Sequence, residues 1–275
     1  MMGTPGTDRA LLGRPTWHRF LSPHYDDIAL SCGGTAALLA GEGRAPEVLI
    51  VFGAEPGRGE ALSDYAAAMH RTWGLDSSEV NARRQSEERA ASVFLGTTFR
   101  VLPFRDAIYR GDAYLGDDDL FGPVAADDVM LPGAIAGAAE LAHAPDPATR
   151  IYAPLAVGRH VDHQLVFTAG VQLAREGWDV WFYEDLPYAL RDGALRDRLA
   201  TASVNLTPAA IIDVTATWGA KMDAILAYPS QLPAIFSSVG STGRRLEIDA
   251  LLRAYAERPD HDTLGERFWR LGDPE

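Results

Sequence analysis

Two patterns of hydrophobic residues alternate along the chain, one typical of buried strands and one typical of helices. Short, nearly continuous apolar runs such as 47–52 are typical of strands buried on both faces of a parallel sheet. Between them lie Ala- and Leu-rich stretches of helical length, several of which end at a glycine, a frequent helix stop. The pattern predicts strands over 17–22, 47–52, 99–102, 150–154, 179–184 and 209–214, and helices over 28–42, 79–95, 131–143, 162–176 and 217–227.

This alternation of strands and helices indicates the fold class. A strand, a helix and a second strand within a short span form a βαβ unit, and its repetition favours an open, mostly parallel sheet covered by helices. We therefore predict an α/β fold, a Rossmann-like three-layer αβα arrangement in a single domain. The polar opening with its Gly and Pro residues predicts a flexible tail over 1–14, ahead of the domain over 15–275.

Two long stretches, 53–78 and 103–128, break the rhythm and are predicted as loops. Loops of this length in compact domains often cover or line a binding site. The second stretch carries Asp117, Asp118 and Asp119 in a row, which we interpret as a solvated turn.

Composition excludes some classes of partner. The net charge of −13 disfavours nucleic acid and anionic membranes, because phosphates would be repelled. No apolar run approaches the ~18 residues of a membrane-spanning helix. The single cysteine, Cys32, allows no intrachain disulfide, which fits a cytoplasmic location. The oligomeric state is left open, a homo-oligomer included.

Potential metal ligands concentrate in two short segments, and the first is 22–27. It contains His24, Asp26 and Asp27 where the first strand should end and a helix begin. His24 and Asp27 are three positions apart at a helix start, so they can point toward a common centre. Asp26 should point differently and stay free of a metal.

The second segment, 158–163, contains His160, Asp162 and His163 and again follows a predicted strand. Because the carboxyl ends of parallel strands meet at one edge of a sheet, the two segments can meet in space. A carboxylate and two histidines form a ligand set of catalytic zinc that leaves a position open for water. The alternative is a pair of ordinary helix starts, where aspartate is favoured anyway.

The sequence PHYDD followed by HVDH resembles the PIG-L/LmbE family of zinc-dependent N-deacetylases, which act on N-acylated aminosugars. Further similarities follow in the same order, with Arg84 and Glu87 before Leu95-Gly96, and later Lys221 before Ser230-Gln231. The resemblance spans about residues 17–236. The paired motifs are specific to the family, and the outlying ones are supporting similarities.

The resemblance implies a role for each residue of the two segments. The implied zinc ligands are His24, Asp27 and His163, the implied general base is Asp26, and the remaining catalytic residues are His160 and Asp162. His160 would stabilise the oxyanion or protonate the leaving amine, and Asp162 would orient His160 or a ligand. Zinc is the expected cofactor, with another divalent metal left open.

Four further residues are expected to contact the substrate: Arg84, Arg159, Glu184 and Asp185. Arg84 could instead pair with Glu87 along a helix, and the two acidic residues could be an ordinary loop pair. One position departs from the resemblance. Some family members carry a tyrosine two residues before the HxDH motif, and here that position is Gly158, so Arg159, His160 alone or a tyrosine from elsewhere would hold the oxyanion.

The expected function is removal of an N-acyl group, foremost N-acetyl, from an aminosugar or a glycoside that carries one. N-acetylglucosamine derivatives and intermediates of antibiotic biosynthesis are candidate substrates. One alternative is a metal-binding or regulatory protein on the same fold that has lost catalysis. Another is a nucleotide-dependent transferase, which the absence of a GxGxxG phosphate loop disfavours.

Overall fold

The computed structural model describes residue 13 and residues 15–54, 56, 60–75, 79–130, 132–258 and 261–272. Apart from Gly13, the tail expected over 1–14 lies outside the described residues. Among these residues no helix is both long and apolar enough to cross a bilayer. The cytoplasmic location expected from composition stays a prediction.

The strands of the described chain are β1 (Trp17–Ser22), β2 (Glu47–Ile50), β3 (Thr98–Val101), β4 (Thr149–Pro154), β5 (Asp179–Tyr183), β6 (Leu206–Asp213), β7 (Glu257–Arg258) and β8 (Thr263–Leu271). The α-helices are α1 (Asp27–Gly41), α2 (Asp64–Thr72), α3 (Val80–Leu95), α4 (Asp117–Leu120), α5 (Pro132–Ala138), α6 (Val161–Arg175), α7 (Ala194–Thr201), α8 (Trp218–Ile225), α9 (Leu232–Ser237) and α10 (Arg245–Ala256). Short 3₁₀ turns span Ala107–Tyr109, Tyr188–Leu190 and Thr215–Thr217.

The strands form one mixed sheet in the order β3-β2-β1-β4-β5-β8-β6, with β7 paired to β8. Neighbours from β3 to β5 are parallel, and β8 is antiparallel to both β5 and β6. Since β1 connects to β2 in one direction and β4 to β5 in the other, right-handed crossovers place α1 and α6 on opposite faces. The crevice at the carboxyl ends of β1 and β4 is where such sheets bind ligands.

The predicted α/β class with a mostly parallel sheet in one domain is confirmed, and the main differences are one additional helix, one additional strand and one shorter helix. Helix α2 lies inside the stretch 53–78, where Ser63 caps it by accepting a hydrogen bond from the backbone of Ala66. Strand β8 was not predicted, because Gly265 and Glu266 interrupt its apolar positions. The helix expected over 131–143 is shorter and spans Pro132–Ala138.

Helix α1, which begins in the first motif, is buried along nearly its whole length. A Cβ atom on its Gly34 would lie 2.6 Å from Cβ of Val214, so the helix approaches its neighbour as only glycine allows. The backbone N–H of Gly34 donates to the buried carboxylate of Glu266, which also pairs with Lys221 at 2.6 Å. The position of α1 is therefore fixed by close packing and by a buried ion pair.

Replacing Gly34 with alanine should lower the free energy of unfolding by about 1–3 kcal/mol, because the new methyl group overpacks this contact. Gly41→Ala on the same helix is the matched control, since its Cβ would meet nothing within 4 Å. That change should be neutral or stabilising by up to about 1 kcal/mol. Denaturant unfolding measures both, and equal effects would contradict the close packing of α1.

Candidate metal centre

Strands β1 and β4 deliver the two motif segments to one crevice. The strands pair in parallel, and each continues through a short loop into a helix, α1 or α6, at the same edge of the sheet. All six motif residues are buried there: His24, Asp26, Asp27, His160, Asp162 and His163. The imidazole rings of His24 and His160 are 4.8 Å apart between centroids, and those of His24 and His163 are 5.5 Å apart. The structure thus brings the segments together over more than 130 residues of sequence.

Each of two histidines has one ring nitrogen held by a carboxylate and the other near Asp27. His24 Nε2 hydrogen-bonds Asp162 at 2.8 Å, and its Nδ1 lies 3.6 Å from Asp27 Oδ2. His163 Nδ1 hydrogen-bonds Asp185 at 2.6 Å, and its Nε2 lies 3.4 Å from Asp27 Oδ1. In the described chain this buried Nε2 atom has no hydrogen-bond partner. Metal-binding histidines typically show this pattern, in which a carboxylate orients the ring.

Other groupings of potential ligands are present in the same crevice. The nitrogens of His24, His160 and His163 lie within 4.8 Å of one another, as do ligand atoms of His24, Asp106 and Asp162. The second grouping is less suited to a metal, because Asp162 already accepts the backbone N–H of Ala107 and pairs with Arg110. The donor set of imidazole and carboxylate fits a metal ion.

The electrostatics of the crevice favour a cation. Burial and the charge of Asp27 raise the pKa of Asp26 well above its ordinary value. Burial opposes a charge on His163, yet the carboxylates of Asp27 and Asp185 raise its pKa. A divalent ion would relieve the repulsion between the adjacent buried carboxylates of Asp26 and Asp27.

His160 occupies the N-cap position of α6. Its Nδ1 accepts a hydrogen bond from the backbone N–H of Asp162 at 3.2 Å, which leaves the ring proton on Nε2. Burial and the charge of His24 hold the pKa of His160 well below its ordinary value. His160 is therefore a neutral imidazole whose Nε2–H makes no hydrogen bond to the described residues.

Asp26 has an unusual backbone conformation, with φ 85° and ψ −30° just before α1. A positive φ is strained for residues other than glycine, although asparagine and aspartate adopt it more often than the rest, and such strain is frequent at functional sites. An Arg84 nitrogen lies 3.9 Å from its carboxylate. The strain turns Asp26 away from the direction that an ordinary helical residue would take beside Asp27.

The Arg84 guanidinium is buried and lies between two aromatic rings. Its central carbon is 5.2 Å from the Tyr25 ring centroid and 5.1 Å from that of Trp73. Its other ion pair, with Asp106, is also long, at 3.8 Å. Its Nε atom has no hydrogen-bond partner among the described residues. Arg84 therefore has hydrogen-bonding capacity left for a bound molecule.

The other three residues expected to contact substrate lie in different surroundings. The side chain of Arg159 is exposed on the loop before α6. The carboxylate of Glu184 instead accepts hydrogen bonds from Tyr255, Arg267 and Trp269 at 2.5–2.9 Å. Asp185 holds His163 and also accepts the backbone N–H of Val157. Both carboxylates are thus occupied by protein donors.

Sequence reasoning missed Arg110 and Asp106, which no motif marks in the stretch 103–128. One Arg110 nitrogen lies 2.6 Å from Asp162, another lies 3.0 Å from Asp128, and the guanidinium is buried. Burial opposes ionisation of Asp162, but Arg110 and the hydrogen bond to His24 hold its pKa below its usual range. This stretch is therefore tied into the site, and Arg110 fixes the carboxylate that orients His24.

We expect Arg110→Met to lower the free energy of unfolding by about 3–5 kcal/mol, because it leaves the Asp162 charge buried without its partner. Metal affinity should also fall by about 10–100-fold, since Asp162 orients His24. The matched control is Arg105→Met, which removes an exposed pair with Glu60 and should cost at most about 1 kcal/mol. Denaturant unfolding and metal competition provide the measurements. An Arg110 variant no weaker than the Arg105 variant would contradict this role.

The fold and the crevice together define an α/β protein with a buried candidate metal site at the switch point of its sheet. Comparison with known proteins specifies it further. The model of the PIG-L family, described as GlcNAc-PI de-N-acetylase, matches residues 19–174. The chain belongs to this family, as the motifs indicated, and it is a hydrolytic N-deacetylase.

Named relatives agree with this assignment. A 2'-N-acetylparomamine deacetylase of Niallia circulans is 33% identical over 250 residues, which cover 81% of this chain and 83% of the relative. Another, of Streptomyces fradiae, is 33% identical over 243 residues, covering 80% and 81% respectively. The zinc-inhibited form of a teicoplanin deacetylase shares the fold, with a TM-score of 0.72 at 24% identity over 94% of this chain and 100% of the other.

Proposed function

We propose that the protein removes the N-acetyl group from an aminosugar unit of an antibiotic intermediate of the aminoglycoside type, with zinc as its metal. The observation that carries the proposal is the convergence of His24 Nδ1 and His163 Nε2 on the Asp27 carboxylate. One carboxylate and two histidines are a ligand set of catalytic zinc. The names of the two relatives that are 33% identical support the substrate class.

Zinc, when held by His24, Asp27 and His163, would supply a bound water of pKa ~7 and a Lewis acid for the amide carbonyl. Asp162 and Asp185 orient the rings of His24 and His163 through hydrogen bonds to the ring nitrogens that face away from Asp27. These carboxylates are therefore assigned to positioning, and not to substrate contact.

Asp26 acts as the general base in this proposal. It accepts a proton from the attacking water and then donates this proton to the leaving nitrogen. Protonation is needed because the unprotonated amide nitrogen is a poor leaving group. Its raised pKa suits a group that must hold a proton between the two steps. His160 donates its Nε2 proton in a hydrogen bond to the reacting amide, and its lowered pKa keeps it neutral.

Arg84 binds the sugar in this proposal. Its guanidinium is held between Tyr25 and Trp73, and its Nε has no protein partner in the described part of the chain. Guanidinium groups donate several hydrogen bonds in fixed directions, which suits vicinal hydroxyl groups. Exposed Arg159 is assigned to the rim of the same site, where a larger glycoside would extend. The presence of Asp26 and His160 argues against a homologue that has lost catalysis.

Amine release from purified, zinc-loaded protein tests the proposed function. The panel is 2'-N-acetylparomamine, an N-acetylated glycopeptide and N-acetylglucosamine, each assayed for free amine and for acetate in equal amounts. The proposal expects kcat/KM for the paromamine derivative to exceed that for the monosaccharide by at least about tenfold, because remote sugar contacts contribute to transition-state binding. Absence of amine release from every compound would contradict it.

A further inference from the structure

Tyr188 lies directly over position 158. Along the loop from β4 to α6, Ala156, Gly158 and Arg159 all have positive φ values, of 62°, 86° and 66°. A Cβ atom on Gly158 would lie 2.5 Å from Cγ of Tyr188 and 2.7 Å from its Cβ. Position 158 can therefore carry no side chain while Tyr188 keeps its place. The space that a side chain at 158 would use is filled by a tyrosine from elsewhere in the chain.

The ring of Tyr188 belongs to the aromatic surroundings of the candidate metal centre. It packs edge-on against the imidazole of His163, with 5.6 Å between centroids and 89° between planes. On another side it meets Phe121 at 5.9 Å, and Phe121 in turn meets His160 at 5.4 Å. The backbone N–H of Ala189 donates to the backbone carbonyl of Asp185, so the turn that carries Tyr188 is fixed to the residue whose side chain orients His163.

The hydroxyl group of Tyr188 differs from those of the other tyrosines. The chain has nine tyrosines, and in the described residues every hydroxyl except that of Tyr188 hydrogen-bonds a protein group. A tyrosine hydroxyl keeps its proton at neutral pH, so it can donate a hydrogen bond. The hydroxyl is therefore a donor that has no protein partner among the described residues, on a ring that packs against His163.

We propose that Tyr188 is a catalytic residue whose hydroxyl donates a hydrogen bond to the amide oxygen of the substrate as negative charge develops there. The inference rests on the proposed function. When water attacks the amide carbon, the carbonyl electron pair moves onto oxygen, and a donor already in place stabilises that charge without reorganisation. Tyr188 keeps its proton throughout. His160 is then available to assist the departing nitrogen, so that the two donors serve the two atoms of the amide bond.

Tyr188→Phe removes only the hydroxyl group. We expect kcat to fall by about 10²-fold, the scale for loss of one oxyanion donor. KM should change by less than about threefold, because the contact strengthens only in the transition state. Metal content and the midpoint of thermal unfolding should equal those of the wild type. Tyr255→Phe is the matched control, since Tyr255 is also half-buried and its hydroxyl bonds Glu184, which keeps two other donors.

A second measurement separates a catalytic hydroxyl from a merely structural one. A methylphosphonamidate analogue of the tetrahedral intermediate should bind Tyr188→Phe more weakly by the factor lost in kcat/KM, whereas the amine product should bind both proteins equally. Gly158→Ala supplies an independent variant, because its methyl group must displace the Tyr188 ring. Its effect on kcat should be large in the wild type and smaller in Tyr188→Gly, which removes both the ring and the Cβ atom that the new methyl group would meet.

The outcomes distinguish this inference from the proposed function. A wild type that is active while Tyr188→Phe retains full kcat and full affinity for the analogue overturns the role of Tyr188 alone. A drop in kcat that Tyr255→Phe reproduces overturns it as well. A wild type that releases no amine from any compound overturns both the role of Tyr188 and the proposed function.

Discussion

Asp26→Asn is expected to lower kcat by about 10²–10⁴-fold, the contribution of a positioned general base, while metal content stays at the wild-type value. Asparagine keeps the shape of the side chain but cannot accept the proton of the attacking water. It also tolerates left-handed backbone, so the φ of 85° at this position should persist. The loss would then reflect proton transfer and not a change in the loop. Steady-state kinetics and metal analysis of the same preparation check both parts.

The matched control is Asp262→Asn. Asp262 also has a positive φ, of 50°, and lies in a turn that contributes nothing to the crevice. The same chemical change in the same backbone region should leave kcat unaltered there. Near-full activity of Asp26→Asn would refute the general-base role, and loss of metal from it would show that Asp26 is a ligand instead.

His163→Ala is expected to lose the metal and, with it, all turnover that depends on the metal. The substitution removes the buried Nε2 atom that has no hydrogen-bond partner in the described chain. Removal of a residue that only orients a ligand lowers metal affinity by about 10–100-fold, and removal of His163 itself should lower it further. Asp185→Asn should cause this smaller loss of metal affinity, because Asp185 only orients the His163 ring. Competition with a chromogenic chelator measures the series.

Three further variants separate the ligand groupings that the crevice offers. His160→Ala should keep the metal if Asp27 completes the set, and should lose it if the three histidines bind together. Asp106→Asn should likewise keep it, since Asp106 belongs to the grouping whose other carboxylate is engaged by Arg110. Glu184→Gln is the neutral reference, because its carboxylate bonds Tyr255, Arg267 and Trp269. Loss of metal from Asp106→Asn would contradict the proposed ligands.

The sequence predicts best those elements that are specified locally. Strand β1 was predicted with its observed bounds, and α1 and α6 to within one residue at each end, because their period and their glycine or aspartate boundaries are local signals. Strand β8 was not predicted because its Glu266 is buried against partners that are distant in sequence, namely Lys221 and the backbone N–H of Gly34. Such compensation is invisible in a hydrophobic pattern.

In the candidate site, too, local sequence signals were informative and tertiary contacts were not predicted. The two motifs identified the segments that meet, but the direction of each side chain depends on tertiary contacts. Glu184 and Asp185 were treated alike, yet successive residues at a strand end point to opposite sides, so only Asp185 reaches His163. Arg110 lies on an irregular stretch with no motif. Gly158 signalled a missing side chain, whereas Tyr188, thirty positions later, is identified only by the folded chain.

The most direct test of the central claim is amine release from 2'-N-acetylparomamine by protein stripped of metal, before and after addition of one equivalent of Zn²⁺. The account predicts no turnover by the stripped protein, recovery upon addition of zinc to the wild type, and no recovery in His163→Ala. Full turnover by the wild type while metal analysis finds no bound ion would contradict a metal centre built on His24, Asp27 and His163.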